Sequence, residues 1–485
     1  MHLTYVALTD WPPLAWVAQA QGHGVTVYHG ADVETTPAWF AEAVWAGPFE
    51  EGGLDRTDII AGTGARLRDG RVIFISSGST VERLHSCVRR GSCWVSNSLS
   101  GLLAMVGGTL EPSYPFYSRN LLRLVRGAGP YQGTLRSTVG PITLTYFDNL
   151  LWDGQRLVRQ VKVDTAPVWT VFAEYREWLL SQLSMLADNM ISPSRQQQRY
   201  RFIATISSGY DSPAVTVLVR EAGCAETITL DRGLDGEEDS GAAIAARLGL
   251  RCLVLPREAW RACPSAEVPW LAGSPTGQEV MLAPAAPWLR GRVLCTGVHG
   301  DRVWSLDMTD LDHPLSRPDH SGLALSEYRL SVGCLHCPLP FWGVRQLAAL
   351  RAISHSPEMQ PWDVGGDYSR PIPRRIVEEA GVPRELFATR KRMAHVSLQG
   401  RNDLTAYTEQ AYMQWLRAHR GAWLRQGRMP PMPPMWKFHR WCMDHTNWPL
   451  PGWWRVRAWN PRRYLFAWAV EERMKAYAVP KGVEL

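Results

Sequence analysis

Two short stretches carry residue types suited to holding phosphate. Ser207-Ser-Gly-Tyr-Asp-Ser212 is polar and follows Ile203-Ala-Thr-Ile206, an apolar, β-branched run. Such a run reads as a buried strand. Gly209 admits backbone geometry that bulkier residues resist. Ser212 suits a helix cap and Pro213 a first helical position, so the stretch reads as strand, tight loop and helix. A loop of this kind aims backbone N–H groups and the positive end of a helix at one point, which favours phosphate. It lacks the Gly-Lys-Ser/Thr ending of the common phosphate loop. Asp211 sets a carboxylate in the cradle instead, and phosphate beside carboxylate suits a bridging Mg²⁺. Thr296-Gly-Val-His-Gly-Asp301 repeats the plan, with glycines and an acid after a strand. Asp211 and Asp301 are therefore expected to converge on one metal ion.

A third stretch, Cys334-Leu-His-Cys337, has the spacing of half a zinc site or of a redox pair. No second Cys-x-x-Cys completes it, so Cys263, Cys295 or His336 would have to join by folding. The plainer reading is two thiols in an apolar segment.

The elements that must position these residues follow from pattern. From 203 onward strands and helices alternate, which predicts an α/β domain with a largely parallel sheet. Thr227–Asp231, Arg251–Leu255 and Arg292–Thr296 read as its further strands. Asp235-Gly-Glu-Glu238 reads as a capping box for a helix ending at Leu248, with Gly249 as its stop. In such sheets ligands bind beyond the carboxyl ends of the strands, where both loops lie. Substrate-selecting loops are expected between 256 and 290 and between 302 and 345. Upstream, Phe172, Tyr175, Leu179, Leu183, Leu186 and Met190 recur at helical spacing. Residues 1–165 read as strand-rich, with strands at Leu3–Leu8, Val25–His29, Arg71–Ile75, Ser92–Val95 and Leu157–Val163. Asp69-Gly70 and Asp153-Gly154 mark hairpins. Helices are expected at Thr36–Trp45 and Ser98–Met105. Residues 401–485 read as a helical, Trp-rich extension broken by Met429-Pro-Pro-Met-Pro-Pro-Met435.

Composition bounds these readings. The chain has 485 residues, 45% of them hydrophobic and 20% charged, enough for two or three domains with cores. A net charge of +6 over 46 acidic residues describes a mixed surface and does not call for nucleic acid. Nine cysteines without a regular framework, and a start without a secretory pattern, fit the reducing cytoplasm. No apolar run approaches the ~20 residues of a membrane span.

The loop Ser207–Ser212 resembles the Ser-Gly-Gly-x-Asp-Ser loop of the N-type ATP pyrophosphatases. With Thr296–Asp301 it is similar to the synthetase domain of the asparagine synthetase-like family, which includes β-lactam synthetase and the lasso-peptide cyclases. The likeness spans roughly 170–395. It implies a parallel-sheet synthetase domain over 166–400, a strand-rich α+β glutaminase-like domain over 1–165, and a helical extension over 401–485. It also implies ATP and Mg²⁺ as cofactors. The implied chemistry is adenylation of a small-molecule or peptide carboxylate, with pyrophosphate released, followed by attack of an amine. Carried over by position, Ile206 and Leu230 would contact adenine. Ser207, Gly209, Asp211 and Ser212 would hold phosphates, with Ser208 and Tyr210 in the same loop. Thr296 and Gly297 would approach the nucleotide. Asp211 and Asp301 would bind Mg²⁺, and Lys391 would steady the departing pyrophosphate and the reacting carboxylate.

Departures from the family pattern fall at named positions. Ser208 replaces a glycine, Val298 stands where asparagine synthetase has a glutamate, and Arg302 follows Asp301 where a second acid is common. Glutamine hydrolysis requires an N-terminal cysteine, whereas residue 2 is His2 and the nearest thiol is Cys87. The first domain is thus expected to make no ammonia. Two alternatives stay open: ATP-dependent sulfur transfer using Cys334 and Cys337, and a nucleotide-binding scaffold without turnover.

Overall fold

The computed structural model describes residues 1–127, 132–307, 311–366, 369–387, 396–398, 404–427 and 461–480. It has a strand-rich N-terminal region, a five-stranded parallel sheet with helices, and helices toward the C-terminus. Lys391 and the Pro/Met segment 429–435 lie outside the described residues.

The N-terminal region holds a seven-stranded and a six-stranded sheet. Trp16, Val25, Val27 and Val95 from the first sheet meet Phe40, Phe74, Leu150 and Trp152 from the second in one dry layer. This is the alternation that two facing sheets require. The strands His2–Ala7, Gly24–His29, Arg71–Ile75 and Ser92–Ser96 occupy the expected places. The last expected strand is shorter, Leu157–Gln160. The Asp69-Gly70 turn joins Ile60–Arg68 to Arg71–Ile75, and both turn residues have positive φ, +50° and +70°. That is the geometry of a two-residue hairpin. The expected helix Ser98–Met105 forms over Leu99–Met105, capped by the Ser98 hydroxyl.

The segment expected to be a helix at Thr36–Trp45 is instead strand, Glu34–Thr35 and Trp39–Trp45. Trp39, Ala41, Ala43 and Trp45 pack in one cluster with Phe49, while Phe40 points into the layer between the sheets. Burial on both faces with a period of two overrides the helix propensity of Ala and Glu.

The parallel sheet runs Arg251–Leu255, Glu226–Leu230, Arg201–Thr205, Arg292–Thr296 and Leu335–Pro338 in spatial order. Chain order is therefore third, second, first, fourth, fifth. The direction of travel reverses beside the first strand, which opens a crevice between the first and fourth strands at their carboxyl ends. The amphipathic helix spans Phe172–Ile191 and buries the apolar positions expected of it. One helix starts late: the second βα unit reaches helix only at Ala242–Arg247. Asp235 does not cap it but accepts the N–H of Glu237 at 3.1 Å, closing a local turn. Gly249, at φ +71°, ends that helix as expected.

The C-terminal helices span Ala406–Ala418, Arg420–Arg425 and Leu465–Met474. The last is buried over Leu465–Val470 and packs against both Leu99–Met105 and Glu267–Gly273. It is a wedge between the two halves of the molecule, more deeply placed than an appended extension would be.

Candidate functional site

The Ser207–Ser212 loop links the first parallel strand to the helix Asp211–Glu221. That helix starts one residue before Ser212, with Tyr210 at the cap position and no side-chain cap bond. Ser212 therefore does not cap it, and Pro213 is its third residue. The Ser212 hydroxyl pairs with that of Ser207 at 2.9 Å. The Gly209 N–H donates to Ser207 Oγ at 3.3 Å, so Ser207 organises the loop from inside. The Ser208 hydroxyl turns to Asp239 and donates to its carboxylate at 2.5 Å.

Three glycines let other segments close on this loop. A Cβ on Gly241 would sit 2.8 Å from the Ser207 nitrogen. One on Gly297 would sit 2.7 Å from the Ser212 nitrogen, and one on Gly300 would sit 2.8 Å from Asp211 Cβ and Cγ. The loop is thus gripped from both sides, and the Thr296–Asp301 stretch lies directly against Asp211.

A cavity of about 330 Å³ opens at this point, lined by Ile206, Ser207, Gly209, Tyr210, Asp211 and Ser212 from the first loop. Leu230 adds to its apolar side, and Thr296, Gly297 and Asp301 come from the second loop. The volume lies within the ~300–1,000 Å³ of small-molecule sites. Every expected site residue in the described part lines this cavity except Ser208, whose hydroxyl is tied to Asp239, itself a lining residue. The first turn of an eleven-residue helix faces the cavity, and helix N-termini attract anions. The apolar slot of Ile206, Ile228 and Leu230 beside that polar cradle suits a flat, apolar ring joined to phosphates.

Several residues that pattern reading passed over also shape the site. Arg370 forms an ion pair with Asp211, and Arg374 donates to the Tyr210 hydroxyl with its guanidinium 4.5 Å over the ring. Both belong to the turn and helix around Pro371–Glu379. The only sequence signal for them was the basic, proline-framed run ending at Arg375. Glu279, Met281, Leu282, Arg317, Asp319 and His336 line the opposite wall. All six fall in the stretches expected to select substrate, His336 on the fifth strand. His299 has φ +77°, stacks on Phe341 at 4.2 Å, and donates from Nε2 to Pro314 O at 3.1 Å. Burial lowers its pKa to about 4, so the ring is neutral at physiological pH.

Cys334 and Cys337 are both buried and address different surroundings. Cys334 lies near Arg329, Glu82 and Glu42, and burial pushes its thiol up to about 12. Cys337 pairs across the strands with Cys295. Among the described residues no cluster of three or more His, Cys, Asp or Glu is arranged to hold a metal ion. The Asp211 and Asp301 carboxylates line one cavity as a pair, which is the smaller donor set expected where phosphate oxygens supply the remaining ligands.

No protein-family model matches the chain, and no curated protein sequence matches it. The functional reading therefore rests on residues and geometry. No helix among the described residues is long and apolar enough to cross a membrane.

Proposed function

We propose that this chain is an ATP-dependent, AMP-forming carbon–nitrogen ligase of the asparagine synthetase-like kind. One observation carries the reading: the Ser207–Ser212 and Thr296–Asp301 loops close on each other through Gly297 and Gly300, at the reversal point of a parallel sheet. Ile206, Ile228 and Leu230 would take adenine, and the cradle from Ser207 to Ser212 would take phosphates. Asp211 and Asp301 would hold Mg²⁺, which when bound supplies charge neutralisation for pyrophosphate. Lys391, outside the described residues, keeps its proposed role beside the leaving group.

On this reading the chain's own task is alignment. The cradle fixes the α-phosphate against an incoming carboxylate, and a fixed geometry converts a bimolecular encounter into a unimolecular step. Arg370, beside Asp211, sets a cation where charge accumulates on the phosphates. The apolar slot and the N-terminal region behind the cavity exclude water from the acyl-adenylate. His2 lies exposed on an edge strand and Cys87 is buried on an interior strand of the same sheet, with its thiol pushed up to about 11. Neither suits a glutaminase nucleophile, which supports an amine drawn from solution or from the substrate itself. The burial of Cys334 and Cys337 in separate surroundings weighs against sulfur transfer. The eight described cysteines are free thiols, as a cytoplasmic setting would have them.

The test is a screen for pyrophosphate release over candidate acids with Mg·ATP. One or more acids should yield AMP and pyrophosphate, and Asp211→Ala should lower the rate by at least about 100-fold with the circular dichroism spectrum unchanged. Formation of ADP and phosphate, or turnover intact in Asp211→Ala, would sink the reading.

A further inference from the structure

The wall opposite the phosphate cradle contains a carboxylate that the ligase reading has not used. Glu279 lines the cavity. Its Oε1 accepts the Gly322 N–H at 2.7 Å. Its Oε2 is shielded from solvent and completes no hydrogen bond among the described residues, although the Ala324 N–H lies close enough to the carboxylate to favour its charged form. The backbone there is strained: φ is +59°, and of the six non-glycine residues with positive φ among the described residues, two, Glu279 and His299, line this one cavity. Strain of this kind persists only where surrounding structure holds it, and it concentrates at functional sites.

The groups around Glu279 leave that oxygen available. Arg317 is committed elsewhere: its guanidinium donates to Thr80 Oγ1 and Thr80 O, each at 3.0 Å, and to Ser321 O. Arg83 and Tyr146 also lie near Arg317. Asp319 adds a second negative charge. His336 stands close to Gly322, where a Cβ would lie 3.3 Å from its ring, and its Nε2 is bonded to Thr296 Oγ1 at 2.9 Å. Burial holds His336 down to about 3, so it brings no charge. A buried acceptor oxygen without a donor carries a desolvation cost that an entering N–H group relieves.

We propose that Glu279 receives the amine that attacks the activated carboxylate and accepts its proton. This rests on the ligase reading above. The amine enters as the free base, and its nitrogen bonds to the carbonyl carbon of the acyl-adenylate. The bond from that carbon to the phosphate oxygen breaks, and AMP leaves with the electron pair. The surplus N–H proton passes to the Glu279 carboxylate. The ligand class is a primary amine, held at the wall facing the cradle. Burial raises the Glu279 carboxyl to about 8, with Arg317 partly opposing, so its ionised form is a stronger base than an ordinary carboxylate.

The experiment uses the full chain, wild type, Glu279→Gln and Glu279→Asp, with an acid that supports exchange of labelled pyrophosphate into ATP. Exchange reads adenylation without any amine. Hydroxamate formed from added hydroxylamine reads the second half-reaction. Glu279→Gln should keep exchange within about twofold and lose hydroxamate formation by about 100-fold, with partial recovery in Glu279→Asp. The wild-type hydroxamate rate should climb as pH rises through about 8, and the slope should vanish in Glu279→Gln.

Thermal stability gives a readout free of activity. A carboxyl whose proton is held more tightly folded than unfolded makes the fold less stable as pH rises from about 4.5 to about 8. The wild-type Tm should carry that decline, and Glu279→Gln should flatten it. Equal loss of exchange and hydroxamate, no loss of either, or the same decline in both proteins would overturn the proposal. A wild type that exchanges with no acid overturns the ligase reading first and this one with it. Exchange with undiminished hydroxamate in Glu279→Gln overturns this one alone.

Discussion

Gly300 has no room for a side chain. The obstacle is Asp211, whose Cβ and Cγ lie 2.8 Å from where a methyl carbon would go. Its φ is not among the positive values, so the need for glycine here is spatial and not conformational. Gly300→Ala must therefore push the Thr296–Asp301 stretch away from the cradle or rotate Asp211 out of it. The expected outcome is a Tm loss corresponding to about 1–3 kcal/mol and at least a tenfold weaker Mg·ATP affinity by titration calorimetry. Affinity equal to wild type would show that the contact between the two loops does not shape the site. Ser208 makes the opposite case. A larger residue stands where the resembled loop has glycine, and its hydroxyl is tied to the Asp239 carboxylate at the cavity wall.

Among the elements, the helix Pro371–Glu379 buttresses the Ser207–Ser212 loop from outside the sheet. Arg374 covers the Tyr210 ring and also pairs with Glu378 at 3.3 Å, while Phe387 packs on the ring's other neighbourhood at 5.2 Å. Arg374→Met keeps much of the apolar stem and removes the cation and the donor. It should cost about 1–3 kcal/mol in chemical denaturation and raise KM for ATP with little change in kcat, since it touches the cradle only through Tyr210. A fall in kcat alone would contradict this placement.

The Ser207–Ser212 and Thr296–Asp301 loops were legible because each follows a short apolar strand and carries glycine and acid at close spacing. Their contact was legible only as an expectation, since nothing local states that Gly297 and Gly300 face Asp211. Arg370, Arg374 and Glu279 escaped because they reach the site across long sequence separations from segments without a repeating pattern. The strand Trp39–Trp45 was misread for a related reason. Trp39, Ala41, Ala43 and Trp45 do alternate, but the intervening Phe40 and Val44 are apolar and buried as well, which leaves Glu42 as the one polar position in the strand.

At the scale of the whole molecule, the two halves are joined by buried charge. Arg329, from the helix Leu325–Val332, bonds Glu42 at 2.6 Å and Glu82 at 2.7 Å, both from the N-terminal sheets or their connections. Glu327, on the same helix, accepts the Ser98 hydroxyl at 2.8 Å and the Leu99 N–H at 2.9 Å, at the start of the N-terminal region's helix. Burying these groups is tolerable only while all partners are present. Arg329→Met leaves two carboxylates facing each other in the seam, at a cost of about 3–5 kcal/mol. Glu82 is already raised to about 7 by burial, with Arg329 opposing, so in the variant Glu82 should take up its proton as pH falls. The Tm deficit against wild type should accordingly be smaller at pH 6 than at pH 8. A deficit independent of pH would show that lost packing, not charge, dominates.

The wedge helix Leu465–Met474 has a consequence for how the protein is made. It fills the seam between Leu99–Met105 and Glu267–Gly273, hundreds of residues upstream of it. During translation both walls of that seam emerge long before the piece that covers them. Each half can reach its own secondary structure on the ribosome, yet the apolar faces between them stay open until synthesis has passed residue 474. For most of its time as a nascent chain, the protein therefore carries apolar surface that its last described helix has yet to cover.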